Sequence, residues 1–469
     1  MGEARERVRA ALTSMGLALP PKRILVNLAP ADMLKEGSHF DLPVALAVLA
    51  AMDILPAEEL YAFAALGELS LDGRLNPAAG ILPAAIAAQG QDWGLICPAS
   101  QGAEAGWAGD MTILAAPDLL SLINHFRGTQ LLAPPPPGTL GAGAPRLDLA
   151  DVKGMEVARR TLEVAAAGGH NLLMIGPPGS GKSMLAARLP GLLPDLTPRQ
   201  ALEVSMIHSV SGMLTNGQLV TRPPFRDPHF SASPAAIAGG GLRARPGEIS
   251  LAHRGVLFLD EMPEFPRATL EALRAPMETG QTTVSRAAAH ITYPARFQLI
   301  GAMNPCRCGY LGDGGRECGR APRCGEDYQS KLSGPLLDRI DITIGVMPLS
   351  PREMSWIPSG ESSAIVAQRV AEARARAIQR YGEDGPGSNA EAGPDLMPTT
   401  TEAREFLERA AEKLQLSVRG QIRALRVGRT IADLAGAQET QRFHIAEALT
   451  YRHKLPQQAT LERLRAAGL

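Results

Sequence analysis

The sequence predicts an α/β protein built around a parallel sheet wrapped by helices, with a helical lid after this core and a small α/β domain before it. Three observations support this prediction. A glycine-rich motif stands between a short apolar run and a helix pattern, a second apolar run ends in two acids, and strand and helix patterns alternate on both sides of a proline-rich segment. Such alternation is typical of parallel strands connected by helices.

The stretch MIGPPGSGKSML, residues 174–185, fulfils the phosphate-binding pattern G-x-x-x-x-G-K-[ST]. It follows the apolar run NLLMIG, which predicts a buried strand, and precedes the helix pattern KSMLAARLPGLL. In this context the N–H groups of the loop face phosphate oxygens, Lys182 supplies positive charge and Ser183 offers a hydroxyl to Mg²⁺. The alternative is a glycine-rich turn without a ligand. The predicted nucleotide-binding residues are Gly176, Pro177, Pro178, Gly179, Ser180, Gly181, Lys182 and Ser183.

A second apolar run, GVLFLDE at residues 255–261, ends in the acids that nucleotide hydrolysis requires. Asp260, at the carboxyl end of the predicted strand, is expected to hold Mg²⁺ through water, and Glu261 to polarise the attacking water. A third run, FQLIGAMNP, ends in Asn304, whose amide suits the orientation of that water. The alternatives are a core strand that merely ends in two acids and an ordinary Asn-Pro turn. Taken with the loop, these residues predict an ATP hydrolase that uses ATP and Mg²⁺.

The composition limits the class of protein. The 469 residues carry a formal net charge of −1 and 4% aromatic residues. A nucleic-acid partner must therefore be held by local basic surfaces, not by the overall charge or by a platform of stacked rings. The first stretch, MGEARERVRAALTSMG, is charged and helical, unlike a signal peptide, and the longest apolar runs are too short for a bilayer. We expect a cytoplasmic protein without a membrane partner.

The chain divides at LLAPPPPGTLGAGAPRLDL, which has the proline and glycine content of a linker. Before it, the extended runs RILVNLAP, LGELSLDGRL, WGLICPAS and MTILAAP alternate with helix patterns. After it, strand and helix patterns alternate again to about residue 349, and from about residue 362 the chain is helical, apart from the looped break GEDGPGSNAEAGPD. The predicted boundaries are 1–130 for the first domain, 131–147 for the linker, 148–350 for the core with a cysteine-rich insert at 306–324, 351–398 for a helix and flexible connection, and 399–469 for the lid.

Four of the five cysteines lie close together in the core, with the spacing C-x-C-x9-C-x5-C. In a reducing compartment such a cluster favours a metal over disulfides, and four thiolates complete a tetrahedral structural Zn²⁺ site. The C-x-C pair is less decisive than two C-x-x-C knuckles, so a set of free thiols in a loop is the alternative. The residues concerned are Cys306, Cys308, Cys318 and Cys324.

Five motifs in order resemble the magnesium-chelatase-like AAA+ ATPases of the ComM/YifB family: the phosphate loop, RPGEISLAHRGVLFLDEMPEF, GAMNPCRCGY, SGPLLDRIDI and RVGRTIADLAG. The resemblance implies an AAA+ P-loop NTPase core, a ring that is normally a homohexamer, and ATP at the subunit interfaces. It also implies that Arg339, in LLDRID, is the arginine finger that acts on a neighbour's phosphate. Arg419, in SVRGQIR, matches the lid arginine called sensor 2, with Arg423 as its rival. A surface Arg339 paired with Asp338 or Asp341 is the alternative.

The first domain resembles the Lon-protease-like domain of this family, of the ribosomal S5 type, through EGSHFDLPVALAVLAA and LGELSLDGRLNPAAGILPAAIAA. The positions that match the protease's serine and lysine are His39 and Leu82, and the nearby Ser38 has no lysine at the partner position. Because acyl transfer requires a nucleophile, the resemblance implies a domain without protease activity. The chain opens directly on the helix RERVRAAL, which indicates a domain shortened at its amino terminus.

Two inserts that carry arginines indicate that the ATPase acts on a substrate with a phosphate backbone. RPPFRDPHFSASPAAIAGGGLRARPGE contains Arg243 and Arg245, and the predicted hairpin TTVSRAAAHITYPARFQ has Arg286 at its turn. Pore-facing arginines would hold a phosphate backbone without reading bases; solvated surface loops are the alternative. The resemblance then implies a branch-migration helicase acting on single-stranded or branched DNA, in recombination of incoming DNA during natural transformation. A chelatase-type protein-remodelling motor and an ATP-binding regulatory protein are the other two classes.

Overall fold

The structure is a computed structural model. It describes residues 2–29, 37–141, 143, 146–241, 244–286, 289–311, 315–348, 358–382 and 385–452, with the backbone alone at 285, 286 and 289.

The first domain contains a three-stranded parallel sheet and a short antiparallel pair of strands. In chain order its strands are β1 (Phe63–Ala65), β2 (Glu68–Leu69), β3 (Leu75–Asn76), β4 (Gly94–Pro98) and β5 (Ile113–Ala116). The parallel sheet has the order β1-β4-β5, and β2 pairs with β3. The α-helices around them are Gly2–Ser14, Asp41–Ala51, Ala57–Leu60, Ile81–Gln89, Gly102–Ala105 and Leu119–Phe126.

The strand predicted from RILVNLAP is wrong as far as this segment is described, because residues 23–29 belong to no sheet. Val26 and Leu28 pack against the hydrophobic core of the first domain, whereas Leu25 is 83% exposed. The alternating apolar residues therefore reflect a segment with one side packed on the core and the other side exposed. A ladder also needs a neighbouring strand to satisfy its N–H and C=O groups, and no described strand pairs with this segment.

The second half of the chain is built on a five-stranded parallel sheet. Its strands are β6 (Leu172–Ile175), β7 (Phe225–Arg226), β8 (Val256–Leu259), β11 (Gln298–Met303) and β12 (Ile342–Gly345). They lie in the order β12-β6-β11-β8-β7. A separate antiparallel hairpin is formed by β9 (Gln281–Arg286) and β10 (Ala289–Pro294).

Helices cover both faces of this sheet, which explains why its strands are continuous apolar runs. Leu172 and Met174 of β6 point into one hydrophobic cluster, and Leu173 and Ile175 into the other. The helices of the core are Glu156–Gly168, Lys182–Ala186, Pro198–Val210, Pro234–Ala238, Glu248–Leu251, Arg267–Ala272, Arg274–Thr279, Arg323–Gln329 and Gly334–Leu337.

The lid consists of helices Ser363–Tyr381, Thr401–Leu414, Val418–Leu434 and Arg442–Thr450. A buried ionic network holds them together: Asp433 is fully buried and pairs with Arg429 at 2.8 Å and with Arg380. Asn389, in the looped break, is also buried and donates to Asp433 at 2.8 Å. This part of the predicted flexible connection is therefore packed against the lid, since a buried charge is stable only when it is paired and hydrogen-bonded.

The first domain docks on the core through the helix Pro198–Val210. Ser209 Oγ donates to the buried carboxylate of Glu104 at 2.6 Å, and the Gly80 amide donates to Ser209 O at 3.0 Å. A second contact joins Trp107 Nε1 to Gly217 O at 2.8 Å. The two domains are thus connected by buried polar contacts in addition to the linker.

Candidate functional site

The predicted phosphate loop connects β6 to the helix Lys182–Ala186 and lies at the carboxyl end of the sheet. Glycine is required at two of its positions. A Cβ on Gly176 would lie 2.0 Å from Val346 O, and Gly181 has a φ of +85°, in the left-handed region that favours glycine. The loop therefore has the close approach and backbone curvature that a phosphate cradle needs.

Lys182 lies inside this loop and is only 7% exposed. Its Nζ donates to Gly176 O at 2.7 Å, to Pro177 O at 2.9 Å and to Asn304 Oδ1 at 3.3 Å. Burial lowers the pKa of Lys182, while the nearby carboxylates of Asp260 and Glu261 oppose this shift. The ammonium group is held by loop carbonyls at the place where a polyphosphate would offer it stronger, charged acceptors.

Ser183 and Asp260 meet across the carboxyl ends of β6 and β8. Ser183 Oγ donates to Asp260 Oδ2 at 2.6 Å. Glu261 follows with a φ of +47° and is exposed, and its backbone N–H donates to Asp260 Oδ1 at 2.9 Å. A hydroxyl and a carboxylate side by side are hard oxygen ligands of the kind that Mg²⁺ takes in nucleotide sites.

The residues present fit ATP and Mg²⁺. The cradle is formed by backbone groups at a helix N-terminus, a lysine is enclosed in it, and the oxygen donors of Ser183 and Asp260 adjoin it. Asn304, which follows β11, touches Lys182 and therefore lies at the same edge. The structure thus brings together the predicted loop, Asp260, Glu261 and Asn304.

Arg339 lies at the opposite, amino-terminal edge of the sheet. It precedes β12, and its backbone carbonyl accepts from Asn171 Nδ2 at 2.9 Å, just before β6 begins. The four residues of β6 therefore separate it from the phosphate loop of the same chain, a distance of about 13 Å along the strand. The Arg339 side chain is 12% exposed and pairs with Glu278, not with Asp338 or Asp341.

Arg419 and Arg423 line the same amino-edge cleft as Arg339. Arg423 is 7% exposed and donates to Ile340 O at 2.6 Å and Leu337 O at 3.1 Å. Burial lowers the pKa of Arg423. Arg419, one helical turn earlier, is exposed. Arg423 thus connects the lid to the segment that bears Arg339, which leaves Arg419 available to a ligand that enters the cleft.

The two arginine-bearing inserts pack against one another. Tyr293 Oη in β10 donates to Ala244 O at 2.9 Å, and Thr282 Oγ1 in β9 donates to Ala238 O at 3.2 Å. Arg245 is exposed, next to a turn that its backbone closes by pairing with Gly240. The predicted hairpin is present, so the loop and the hairpin form one unit.

The remaining arginines of the inserts differ in how far the structure describes them and in whether they have a partner. Arg286 ends β9, and its side chain is not among those described; Arg243 lies outside the described residues. Arg226 forms a bidentate pair with Glu248, at 2.6 and 2.8 Å. Its charge is therefore already neutralised within the fold.

Sequence patterns did not single out Asn171 or Asp227. Asn171 Oδ1 accepts from Leu299 N at 2.8 Å, so this side chain ties the segment of Arg339 to the start of β11 as well as β6. Asp227 follows β7 at the nucleotide edge, where burial and the charge of Asp260 raise its pKa. The only sequence signal for either residue is its place at one end of an apolar run.

Three of the four clustered cysteines converge. The Sγ atoms of Cys306, Cys308 and Cys324 lie within 4.8 Å of one another. The side chain of Cys318 interacts with those of Cys308 and Cys324. The cluster follows Asn304 directly, so it lies beside the nucleotide edge.

The sequence matches three family descriptions in succession. These are subunit ChlI of Mg-chelatase at residues 1–101, magnesium chelatase subunit ChlI at 148–354, and the C-terminal part of that subunit at 360–452. The chain is 44% identical to the competence protein ComM of Haemophilus influenzae over 461 residues, which are 96% of this chain and 89% of that protein. The chain belongs to the magnesium-chelatase-like ComM/YifB family.

Another ComM/YifB relative matches equally far, and a magnesium-chelatase subunit matches over a shorter part of the chain. The YifB protein of Escherichia coli K12 is 43% identical over 452 residues, 96% of this chain and 89% of that protein. The magnesium-chelatase 38 kDa subunit of Rhodobacter capsulatus is 26% identical over 314 residues, 60% of this chain and 78% of that protein. The family predicted from the motifs is confirmed, and this membership implies the AAA+ ATPase class and the use of ATP and Mg²⁺. Within the described ranges, no helix has the length and apolar character to cross a membrane.

Proposed function

We propose that this ComM/YifB-family protein is an ATP-driven ring motor that moves DNA, a branch-migration helicase acting on single-stranded or branched substrates. One observation supports the ring arrangement on which this proposal depends. The cradle residues lie at one edge of the sheet, and Arg339 lies at the other edge, one strand length away. A single chain cannot bring both to one phosphate, whereas a head-to-tail ring places the arginine edge of each subunit against the nucleotide edge of the next.

The residues of the two edges would share the work of hydrolysis. When bound, Mg²⁺ and ATP supply the triphosphate to be cleaved and a divalent charge beside it. Lys182 would exchange its loop carbonyls for phosphate oxygens, and the carboxylate of Glu261 would accept a proton from the attacking water. Asn304 Oδ1 would orient that water. Arg339 of the adjacent subunit would leave Glu278 and offset the charge on the transferring phosphoryl group.

Arg419 would act at the same interface as Arg339. It is exposed in the cleft that Arg339 also lines. A lid arginine at this place would report the γ-phosphate of the adjacent subunit to the lid. We propose a homohexamer, the closed ring usual for AAA+ proteins.

The DNA-contacting unit would be the paired inserts. The loop that contains Arg245 and the hairpin β9–β10 are hydrogen-bonded to each other, so a movement of one is transmitted to the other. Arginines on this unit, with Arg243 and Arg286 as further candidates, would bind phosphates and not bases. The name of the relative ComM, a competence protein, supports a role in natural transformation.

The test is ATP turnover and strand movement with forked and Holliday-type DNA. We expect DNA to stimulate turnover, and labelled strands to be displaced only with hydrolysable ATP. The variant Arg245→Ala should weaken DNA binding across all sequences and lower the salt dependence of affinity by about one counterion. Arg226→Ala is not a suitable control because Arg226 has a structural partner; Arg267→Ala, at an exposed position, is suitable. Absence of both stimulation and strand movement would refute the proposal.

A chelatase-type motor that remodels a partner protein is the second candidate. The 26% identity to the magnesium-chelatase 38 kDa subunit favours it. Unchanged turnover with every DNA, together with capture of a stable protein partner in the presence of ATP, would support this alternative. ATP binding without hydrolysis would instead indicate the regulatory protein.

A further inference from the structure

The cysteine insert lies directly against the nucleotide loop. A Cβ on Gly309 would lie 2.5 Å from Pro178 Cδ and 2.8 Å from Pro178 Cγ, so the backbone at Gly309 is in close contact with the phosphate loop. Gly309 comes one residue after Cys308, and its φ of +86° turns the chain toward the loop. Whatever fixes Cys308 therefore fixes the contact with Pro178.

The thiols are arranged as a ligand set. Cys306 is fully buried and its Sγ lies 3.0 Å from that of Cys308, while Cys324 is 9% exposed. Two sulfurs of a tetrahedral Zn²⁺ site are about 3.8 Å apart, given Zn–S bonds of about 2.3 Å. The spread of up to 4.8 Å among the three Sγ atoms is compatible with this geometry after small side-chain rotations. Cys318 is not in this converging group, but it adjoins Cys308 and Cys324 and is the fourth ligand in our proposal.

The surroundings of the thiols are built to hold the insert in place. Gln329 is fully buried and donates from Nε2 to Pro305 O at 2.8 Å, which ties the helix Arg323–Gln329 to the start of the insert. A Cβ on Gly325 would lie 2.4 Å from Leu311, so the two arms of the insert are closely packed. The segment 306–324 contains four arginines and two acids, a positive balance suited to the negative charge of four thiolates on one Zn²⁺.

We propose that Cys306, Cys308, Cys318 and Cys324 bind one Zn²⁺ and that this ion, through Gly309 and Pro178, holds the phosphate loop in its nucleotide-binding form. Four thiols would bind Zn²⁺ with release of four protons, and no redox step is involved. The metal site stands on the geometry of three thiols and on the neighbouring position of Cys318; its coupling to the nucleotide loop rests on the proposed ATPase function.

The first experiment measures metal content. Purified full-length protein, prepared without chelator, is expected to contain one zinc per chain by mass spectrometry of the metal. Cys308→Ser should lose most of it. Cys97→Ala is the matched control, since Cys97 is the buried fifth cysteine in the first domain and should leave the zinc content unchanged. A zinc content near zero in folded wild-type protein that stays zero after addition of Zn²⁺ would overturn the site.

The second experiment separates the metal from its effect on the loop. Gly309→Ala keeps every thiol but crowds Pro178, and Gly319→Ala alters the same insert where a Cβ meets nothing within 4 Å. We expect Gly309→Ala to retain zinc and to bind a fluorescent ATP analogue several-fold more weakly, with Gly319→Ala like wild type in both respects. Unchanged nucleotide affinity in Gly309→Ala would overturn the coupling.

The two proposals fail in distinguishable ways. Zinc content and nucleotide affinity are measured without DNA, so their outcomes do not depend on motor activity. Protein that binds zinc but shows no response to DNA would refute the motor only, and a DNA-stimulated ATPase without zinc would refute the metal site only.

Discussion

The ion pair between Arg339 and Glu278 lies at the end of the sheet opposite to Lys182. If Arg339 acts in the adjacent subunit, then Arg339→Ala and Lys182→Ala each disable a different side of the interface. Each variant alone should lose turnover by about 1,000-fold. A mixture of the two should regain measurable turnover, because some interfaces then combine an intact cradle with an intact arginine. A mixture no more active than its components would show that hydrolysis is completed within one chain.

Removal of the water-activating carboxylate should abolish turnover without abolishing binding. Glu261→Gln is expected to lower the ATP turnover rate by about 100-fold or more, while a fluorescent ATP analogue still binds. Glu264→Gln is the matched control, because Glu264, three residues after Glu261, pairs with Lys331 and has no place at the cradle. Equal loss of turnover in the two variants would contradict the assignment of Glu261.

Alanine variants of Arg419 and Arg423 should distinguish an arginine that senses the nucleotide from one that stabilises the fold. Arg423→Ala leaves the buried carbonyl of Ile340 without a donor and removes one of the two donors to Leu337 O, which should cost about 1 to 3 kcal/mol in the free energy of unfolding. Arg419→Ala should leave that free energy unchanged and lower ATP turnover. Thermal unfolding and turnover rates measure the two effects. A destabilised Arg419→Ala would remove the basis for preferring Arg419 as the sensor.

His253 should make stability depend on pH. Burial and the charge of Arg254 lower its pKa to about 4, despite the neighbouring Glu203. Between that value and the unfolded pKa of about 6.5, the unfolded chain binds a proton that the native protein does not. The free energy of unfolding therefore falls as pH falls through this window, by up to about 1.4 kcal/mol per unit.

The matched variant for this pH effect is His253→Gln. Chemical denaturation at several pH values should give a shallower slope for it than for wild type, because its side chain does not titrate. Burial also lowers the pKa values of His208 and His444, so a residual slope of the same sign is expected. Identical slopes would contradict the role given to His253.

Glu104 should control the docking of the first domain. Glu104→Ala leaves the buried hydroxyl of Ser209 without its acceptor and removes one of the two acceptors of the Leu82 amide, at a cost of about 2 kcal/mol. We expect faster proteolysis in the proline-rich segment 131–147, followed on gels. Asp110→Ala, at an exposed position of the same domain, is the control. Equal cleavage rates would show that other contacts hold the domains together.

The strands that carry chemistry were predictable because each is short, buried on both faces and followed by its functional residue. This holds for β6 with Lys182, β8 with Asp260 and β11 with Asn304. The edge at which each residue lies follows from the same logic, since parallel strands place their carboxyl ends together.

Features that depend on long-range packing were not predictable. Glu278 as the partner of Arg339 is separated from it by 61 residues. The contact between Tyr293 and Ala244, which unites the two inserts, and the contact between Gly309 and Pro178 likewise carry no local sequence signal. The extended run at residues 23–29 suggested a strand because its apolar residues alternate. Alternation shows only that one side of a segment is buried, and a segment can be buried on one side without a partner strand.

The junction at Ser209 has a consequence for substitutions in the first domain. Leu82, which the resemblance to a Lon-protease-like domain aligns with the protease's lysine, is fully buried, and its amide is hydrogen-bonded to Ser209 and Glu104. Position 82 is therefore enclosed in the contact between the first domain and the core, where a substrate peptide cannot reach it. A lysine introduced at position 82 would therefore place a cation inside a seam between domains, and would loosen the docking of the first domain instead of creating a peptidase.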